Sequence, residues 1–117
     1  MPVGQFHGRG ACACGCGEGG LDDDVVDGLL TLEKIACTRL SLLSGYRCAK
    51  HNEAVGSKPT SMHRLRKAAD VFSSNVDATT LAALAEGVAV FANGGIGLYV
   101  DNRFVHLDTG KKRRWCA

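Results

Sequence analysis

The stretch Ser61-Met-His-Arg-Leu-Arg-Lys-Ala-Ala-Asp70 carries the side chains best suited to chemistry, with His63 and Asp70 seven positions apart. A histidine and an aspartate at this spacing offer one nitrogen and one oxygen to a zinc ion. Their partner is Phe104-Val-His-Leu-Asp108, in which His106 offers a second nitrogen. Three such ligands leave a fourth position open for water, the arrangement of catalytic rather than structural zinc.

The elements that must hold these residues fit one small domain, since 117 residues, 45% hydrophobic and 22% charged, leave no room for two. Residues 1–20 are rich in glycine and cysteine without periodicity and read as an irregular arm ahead of a domain over 21–117. Asp22-Asp-Asp24 offers an N-cap and first-turn negative charge, and Val25, Leu29, Leu32 and Ala36 then recur at helical spacing, predicting a helix that ends near Cys37-Thr38. Leu40 and Leu42 alternate with Arg39 and Ser41, predicting a short strand that runs into a turn at Ser44-Gly-Tyr-Arg47. Residues 49–55 suit one or two helical turns, and Gly56-Ser-Lys-Pro-Thr60 is a loop that delivers Ser61 and His63.

Ala68-Ala-Asp-Val-Phe72 reads as a buried strand with Asp70 at its centre. A buried carboxylate without a partner is costly, and a cation there removes the cost. One helix is predicted from a cap at Asn75 or Asp77 through Leu81, Leu84, Ala85, Val88 and Phe91 to a stop at Asn93-Gly-Gly95. Strands over 96–100 and 104–108, joined by the three-residue connection Asp101-Asn-Arg103, complete the set. Alternation in the second puts Phe104, His106 and Asp108 on one face and Val105 and Leu107 on the other. The fold class is therefore α+β, a mostly antiparallel sheet with packed helices.

A net charge of +2 is too slight to argue for nucleic acid or an acidic membrane, and Lys111-Lys-Arg-Arg114 reads as a solvated basic tail. No apolar stretch approaches the roughly 20 residues of a membrane span. The N-terminus lacks the apolar core of a signal peptide, so synthesis in the cytosol is expected. Six cysteines leave reduced thiols, a disulfide or metal ligation open, with Cys12, Cys14 and Cys16 able to form a second metal site only with a donor such as Cys48 or His7. His7 and His51 otherwise read as surface histidines, and Arg47, at the end of a strand, is a candidate anion binder.

Taken together, these motifs resemble the M15 zinc D,D-peptidases of the Hedgehog/D-Ala-D-Ala peptidase fold, in the branch of phage endolysins and murein endopeptidases. That branch has a serine-glycine-tyrosine-arginine turn, then an asparagine and a valine-glycine, then Ser-x-His-x-x-Gly-x-Ala-x-Asp. It closes with Phe-Val-His-x-Asp-Thr-Gly, basic residues and a tryptophan. Here these are Ser44-Gly-Tyr-Arg47, Asn52, Val55-Gly56, Ser61, His63, Ala68, Asp70, Phe104-Val-His-Leu-Asp-Thr-Gly110, Arg113 and Trp115. One position departs: Arg66 stands where the motif has glycine, and would strain a turn requiring positive φ and set a large cation beside the metal loop.

The resemblance implies that His63, Asp70 and His106 hold zinc, that Arg47 meets a substrate carboxylate or developing oxyanion, and that Ser61 helps place the peptide. Asp108, on the strand face of His106, is the expected general base, with Asp101 as runner-up and an orienting role toward His106 as the other reading of Asp108. Tyr46 and Trp115 either line the substrate groove or close the core. The implied activity is hydrolysis of amide bonds in peptidoglycan stems or cross-links by a monomer released to the cell wall, with no nucleic-acid or membrane partner. The rival is a non-catalytic module of the same fold that keeps zinc for stability. A weaker third reading is a nucleic-acid binder using Cys12 to Cys16 and Lys111 to Arg114.

Overall fold

The structure, a computed structural model, describes residues 21–44 and 67–117. The glycine- and cysteine-rich arm, the Ser44-to-Arg47 turn beyond Ser44, the turns over 49–55, the loop before Ser61, and the residues Arg47, Cys48, His51, Ser61, His63 and Arg66 lie outside the described residues.

Helix α1 (Asp23–Ala36) follows Asp22 in extended conformation, with Asp23 and Asp24 placing negative charge in the first turn, as the sequence predicts. It stops where Cys37 adopts a left-handed φ of 53°, and the N–H groups of Cys37 and Thr38 close onto the carbonyls of Lys34 and Glu33. Strand β1 (Ser41–Ser44) pairs antiparallel with β2 (Ala68–Phe72).

The next segment corrects a prediction. Instead of one helix there are two, α2 (Ala78–Ala85), capped by the Asp77 carboxylate accepting from Thr80 N–H, and α3 (Ala89–Ala92). Gly87, the weakest helix former in the run, lies at the break, and Val88 turns extended at φ −105°, ψ 109°. That turn brings both Val88 and Phe91 into the core.

Strands β3 (Gly95–Tyr99) and β4 (Phe104–Asp108) form the expected hairpin. Tyr99 pairs with Phe104, so the connection is Val100 to Arg103, one residue longer than predicted, and Arg103 takes the left-handed φ of 60°. A fifth strand, β5 (Arg113–Cys116), runs parallel to β3 where a solvated tail was expected. The sheet order is β1-β2-β4-β3-β5, antiparallel except at its last pair.

One sheet face packs on the helices. Ala69, Val71, Ile96, Val105 and Leu107 meet Val25, Leu29, Leu32, Leu81 and Phe91 in a single buried cluster. Because strand side chains alternate, Asp70, Gly95, Gly97, His106 and Asp108 take the opposite face. Two rows cross that face in register: Asp70, His106, Gly97 and Trp115, and beside it Ala68, Asp108, Gly95 and Arg113.

Candidate metal and peptidase site

The two rows explain how residues from four strands meet. Trp115 and Arg113 belong to β5, one whole strand away from His106 and Asp108 on β4, and β3 between them presents only Gly97 and Gly95. A Cβ on Gly97 would fall 2.3 Å from the Trp115 ring, and one on Gly95 would fall 2.4 Å from an Asp108 carboxylate oxygen. Glycine at both positions lets side chains reach across β3 to the next strand.

His106 lies between two carboxylates. Its Nδ1 is 3.0 Å from Asp70 Oδ1 and its Nε2 is 2.7 Å from Asp108 Oδ2. Asp108 is fully buried and already saturated: Oδ1 accepts from the N–H groups of Gly95 and Gly110, and Oδ2 also accepts from Arg113 Nη2 at 3.1 Å. The Trp115 ring covers the remaining side, 5.1 Å from the imidazole, and its Nε1–H donates to the Tyr99 hydroxyl.

Burial pulls the His106 pKa down, but hydrogen bonds to Asp108 and Asp70 and the charge of both carboxylates outweigh it, and the net shift is upward. Burial likewise works to raise the Asp108 pKa, yet the His106 bond and the Gly110 and Gly95 amides hold it below the usual carboxylate range.

This arrangement has a consequence for valence. A neutral imidazole has one N–H and one lone pair, and a carboxylate can only accept. Both ring nitrogens face carboxylate oxygens at contact distance, so one approach needs a second proton or a cation between nitrogen and oxygen. Asp108 is enclosed and saturated, which places a proton on Nε2; the approach of Nδ1 to Asp70 Oδ1 is closed by a second ring proton, as the upward pKa shift favours, or by a cation that replaces it. Two tetrahedral ligands about 2.0–2.2 Å from one zinc lie roughly 3.3–3.6 Å apart, so the 3.0 Å hydrogen-bond contact would have to open by only a few tenths of an ångström to admit the ion. Among the described residues no set of three metal-binding side chains forms.

Of the residues expected at the site, Asp70, His106 and Asp108 come together. Asp101 does not: it is exposed in the hairpin connection, on the order of 10 Å along the strand from His106 at about 3.3 Å per residue. Trp115 lines the site face rather than the core. Arg113 was read as part of a tail. The signal that could have revealed it is the alternation Arg113, Trp115 against Gly95, Gly97, two long side chains opposite two absent ones. His63, Ser61 and Arg47 lie outside the described residues; of the described ones nearest to them in sequence, Ser44 pairs with Asp70, and the carbonyl of Lys67 accepts from Thr109 N–H.

A peptidoglycan L,D-endopeptidase, MepK, of Escherichia coli K12 is 29% identical over 102 residues, covering 81% of this chain and 54% of that protein. A probable peptidoglycan L,D-endopeptidase MepK of Haemophilus influenzae is 32% identical over 81 residues, covering 65% of this chain and 42% of that protein. The chain thus spans about half the length of the curated relatives it matches. The family model described as Peptidase M15 matches residues 9–108, most of the chain, and the chain belongs to the Peptidase M15 family.

Proposed function

We propose that this chain is a zinc-dependent peptidase that hydrolyses amide bonds in the peptide stems or cross-links of bacterial peptidoglycan. The observation that carries the metal is His106 held between two carboxylates, with Nδ1 and Asp70 Oδ1 converging at 3.0 Å. The substrate class rests on the named activity of the relatives. Asp70 and His106 would be two ligands and His63 the third, the set that the motif resemblance implies. Zinc bound there would supply an acidified water near neutral pH and would polarise a carbonyl.

The surroundings of Asp108 favour the orienting role over that of base. Four donors occupy its two oxygens and it has no exposed surface, so it has no lone pair to offer a water molecule. Its work is to hold the proton on His106 Nε2 and so keep the Nδ1 lone pair aimed at the Asp70 side. Arg47 would take a substrate carboxylate or the oxyanion, and Ser61 would help place the peptide. The relatives' names favour an L,D bond over the D,D bond implied by motif resemblance alone.

The test is zinc content with product analysis of digested muropeptides, for the natural chain and His106→Ala. Stoichiometric zinc lost in the variant, with cleavage between an L- and a D-residue by the natural chain, is the expected result. Tight zinc without any muropeptide product would overturn the catalytic part and leave a zinc-stabilised module.

A further inference from the structure

We propose that Arg113 is a positioning residue of this site: by gripping Asp108 it fixes the His106 imidazole, which makes β5 part of the working machinery. The inference rests on the metal reading of Asp70 and His106 given above, but its geometry is independent of any ion.

Alternation along β5 divides two adjacent arginines between two faces. Arg114 turns to the helix side, where its guanidinium bonds both Glu86 oxygens and the carbonyls of Ala92 and Gly94. It fastens the strand and makes no hydrogen bond to Asp70, His106 or Asp108, feeling Asp108 only through its charge. Arg113 turns to the other face, passes over Gly95 and donates to Asp108 Oδ2, the oxygen that also accepts from His106 Nε2.

The Asp108 carboxylate is pinned at one end by two main-chain N–H groups on Oδ1. These alone allow Oδ2 to swing about that anchor. Arg113 supplies a second anchor on Oδ2, and its own freedom is limited because the guanidinium carbon stacks 4.7 Å above the Trp115 ring. The chain of restraint therefore runs Trp115, Arg113, Asp108, His106. A planar guanidinium suits it, since it can stack and donate at once.

Three variants of the full chain test this: Arg113→Met, Arg113→Lys and Arg114→Gln. Each is measured for melting temperature, for zinc affinity by competition with a chelator, and for the His106 Nε2–H signal by nitrogen-resolved NMR of the zinc-free protein. Arg113→Met should weaken zinc about tenfold, the low end for loss of an outer partner of a ligand, and broaden the Nε2–H signal by exchange with water. Arg113→Lys should restore part of both. Arg114→Gln should lower the melting temperature while leaving zinc affinity and the signal unchanged. The proposal is overturned if Arg113→Met leaves both site readouts as they were, or if Arg114→Gln disturbs them equally, which would reduce Arg113 to strand docking. A natural chain that binds no zinc would sink the metal reading, and the zinc-free His106 signal would still decide the role of Arg113.

Discussion

Replacing Asp108 with asparagine separates orientation from base catalysis. An amide keeps one acceptor oxygen, enough for the N–H groups of Gly95 and Gly110 that donate to Oδ1 at 3.0 Å. Its NH2 group then faces His106 Nε2 and Arg113, where Oδ2 had been 2.7 and 3.1 Å away. Arg113 is half-exposed and can turn to water, so its loss costs about 0.5 kcal/mol. The charge-assisted bond to His106 contributes about 1.5–3 kcal/mol. A stability loss of about 2–3 kcal/mol follows, or a fall in melting temperature of roughly 10 °C for a chain of this size. The effect on metal is more diagnostic. To meet an amide donor, the imidazole must present the Nε2 lone pair and carry its proton on Nδ1, the nitrogen beside Asp70. A protonated Nδ1 cannot ligate, and zinc affinity should fall about 10- to 100-fold. Calorimetric zinc titration of Asp108→Asn beside a muropeptide assay checks this. If the variant binds zinc as tightly as the natural chain and loses only turnover, Asp108 is a base after all and the orienting argument fails.

Gly95→Ala would drive a methyl group into the Asp108 carboxylate and should cost about 1–3 kcal/mol, read by denaturant unfolding, with zinc affinity falling in parallel. Phe91→Ala, at a fully buried position, should cost about 3–5 kcal/mol without changing the zinc affinity of the molecules that remain folded. The zinc-free protein should respond to pH through both site groups. His106 has a raised folded pKa, so its contribution is complete below about 6.5 and lost as pH rises through the folded value. Asp108 has a lowered one, so its contribution is present above about 3.9 and lost as pH falls through the folded value. Melting temperature in the presence of chelator should therefore peak between about pH 4 and 6.5 and decline on both sides; a plateau extending through pH 8 would contradict the environment assigned to His106.

The parts of the fold governed by local rules were legible in the sequence. The α1 stripe, the β2 strand with Asp70 central, and the shared face of His106 and Asp108 all follow from periods of 3.6 and 2, whereas the Asp22 side chain makes no cap hydrogen bond. Failures came where a tertiary contact decided. The α2–α3 break depends on Val88 reaching the core, which a helical stripe containing Val88 cannot signal. The β5 strand depends on a parallel partner distant in sequence, and Arg113 and Arg114 look like tail charges until β3 lies beside them. Motif resemblance drew Asp70, His106 and Asp108 into one site, but it could not rank orienting against proton transfer. That ranking needs the four donors around one carboxylate, two of them main-chain groups that have no signature in side-chain sequence.

The bare face of β3 links residues that never approach each other along the chain. A side chain at Gly97 would first meet the indole of Trp115, and one at Gly95 the carboxylate of Asp108. Each glycine weakens the strand by roughly 0.5–1 kcal/mol relative to alanine, so a substitution that removed the clash would be favoured by the backbone alone. The two pairs should therefore be epistatic. Alanine at 97 is harmful beside tryptophan and helpful once position 115 is small, so a double variant at 97 and 115 would be more stable than its single changes predict. Among relatives, loss of the aromatic residue would free the glycine to drift, and positions 97 and 115 would be expected to change together.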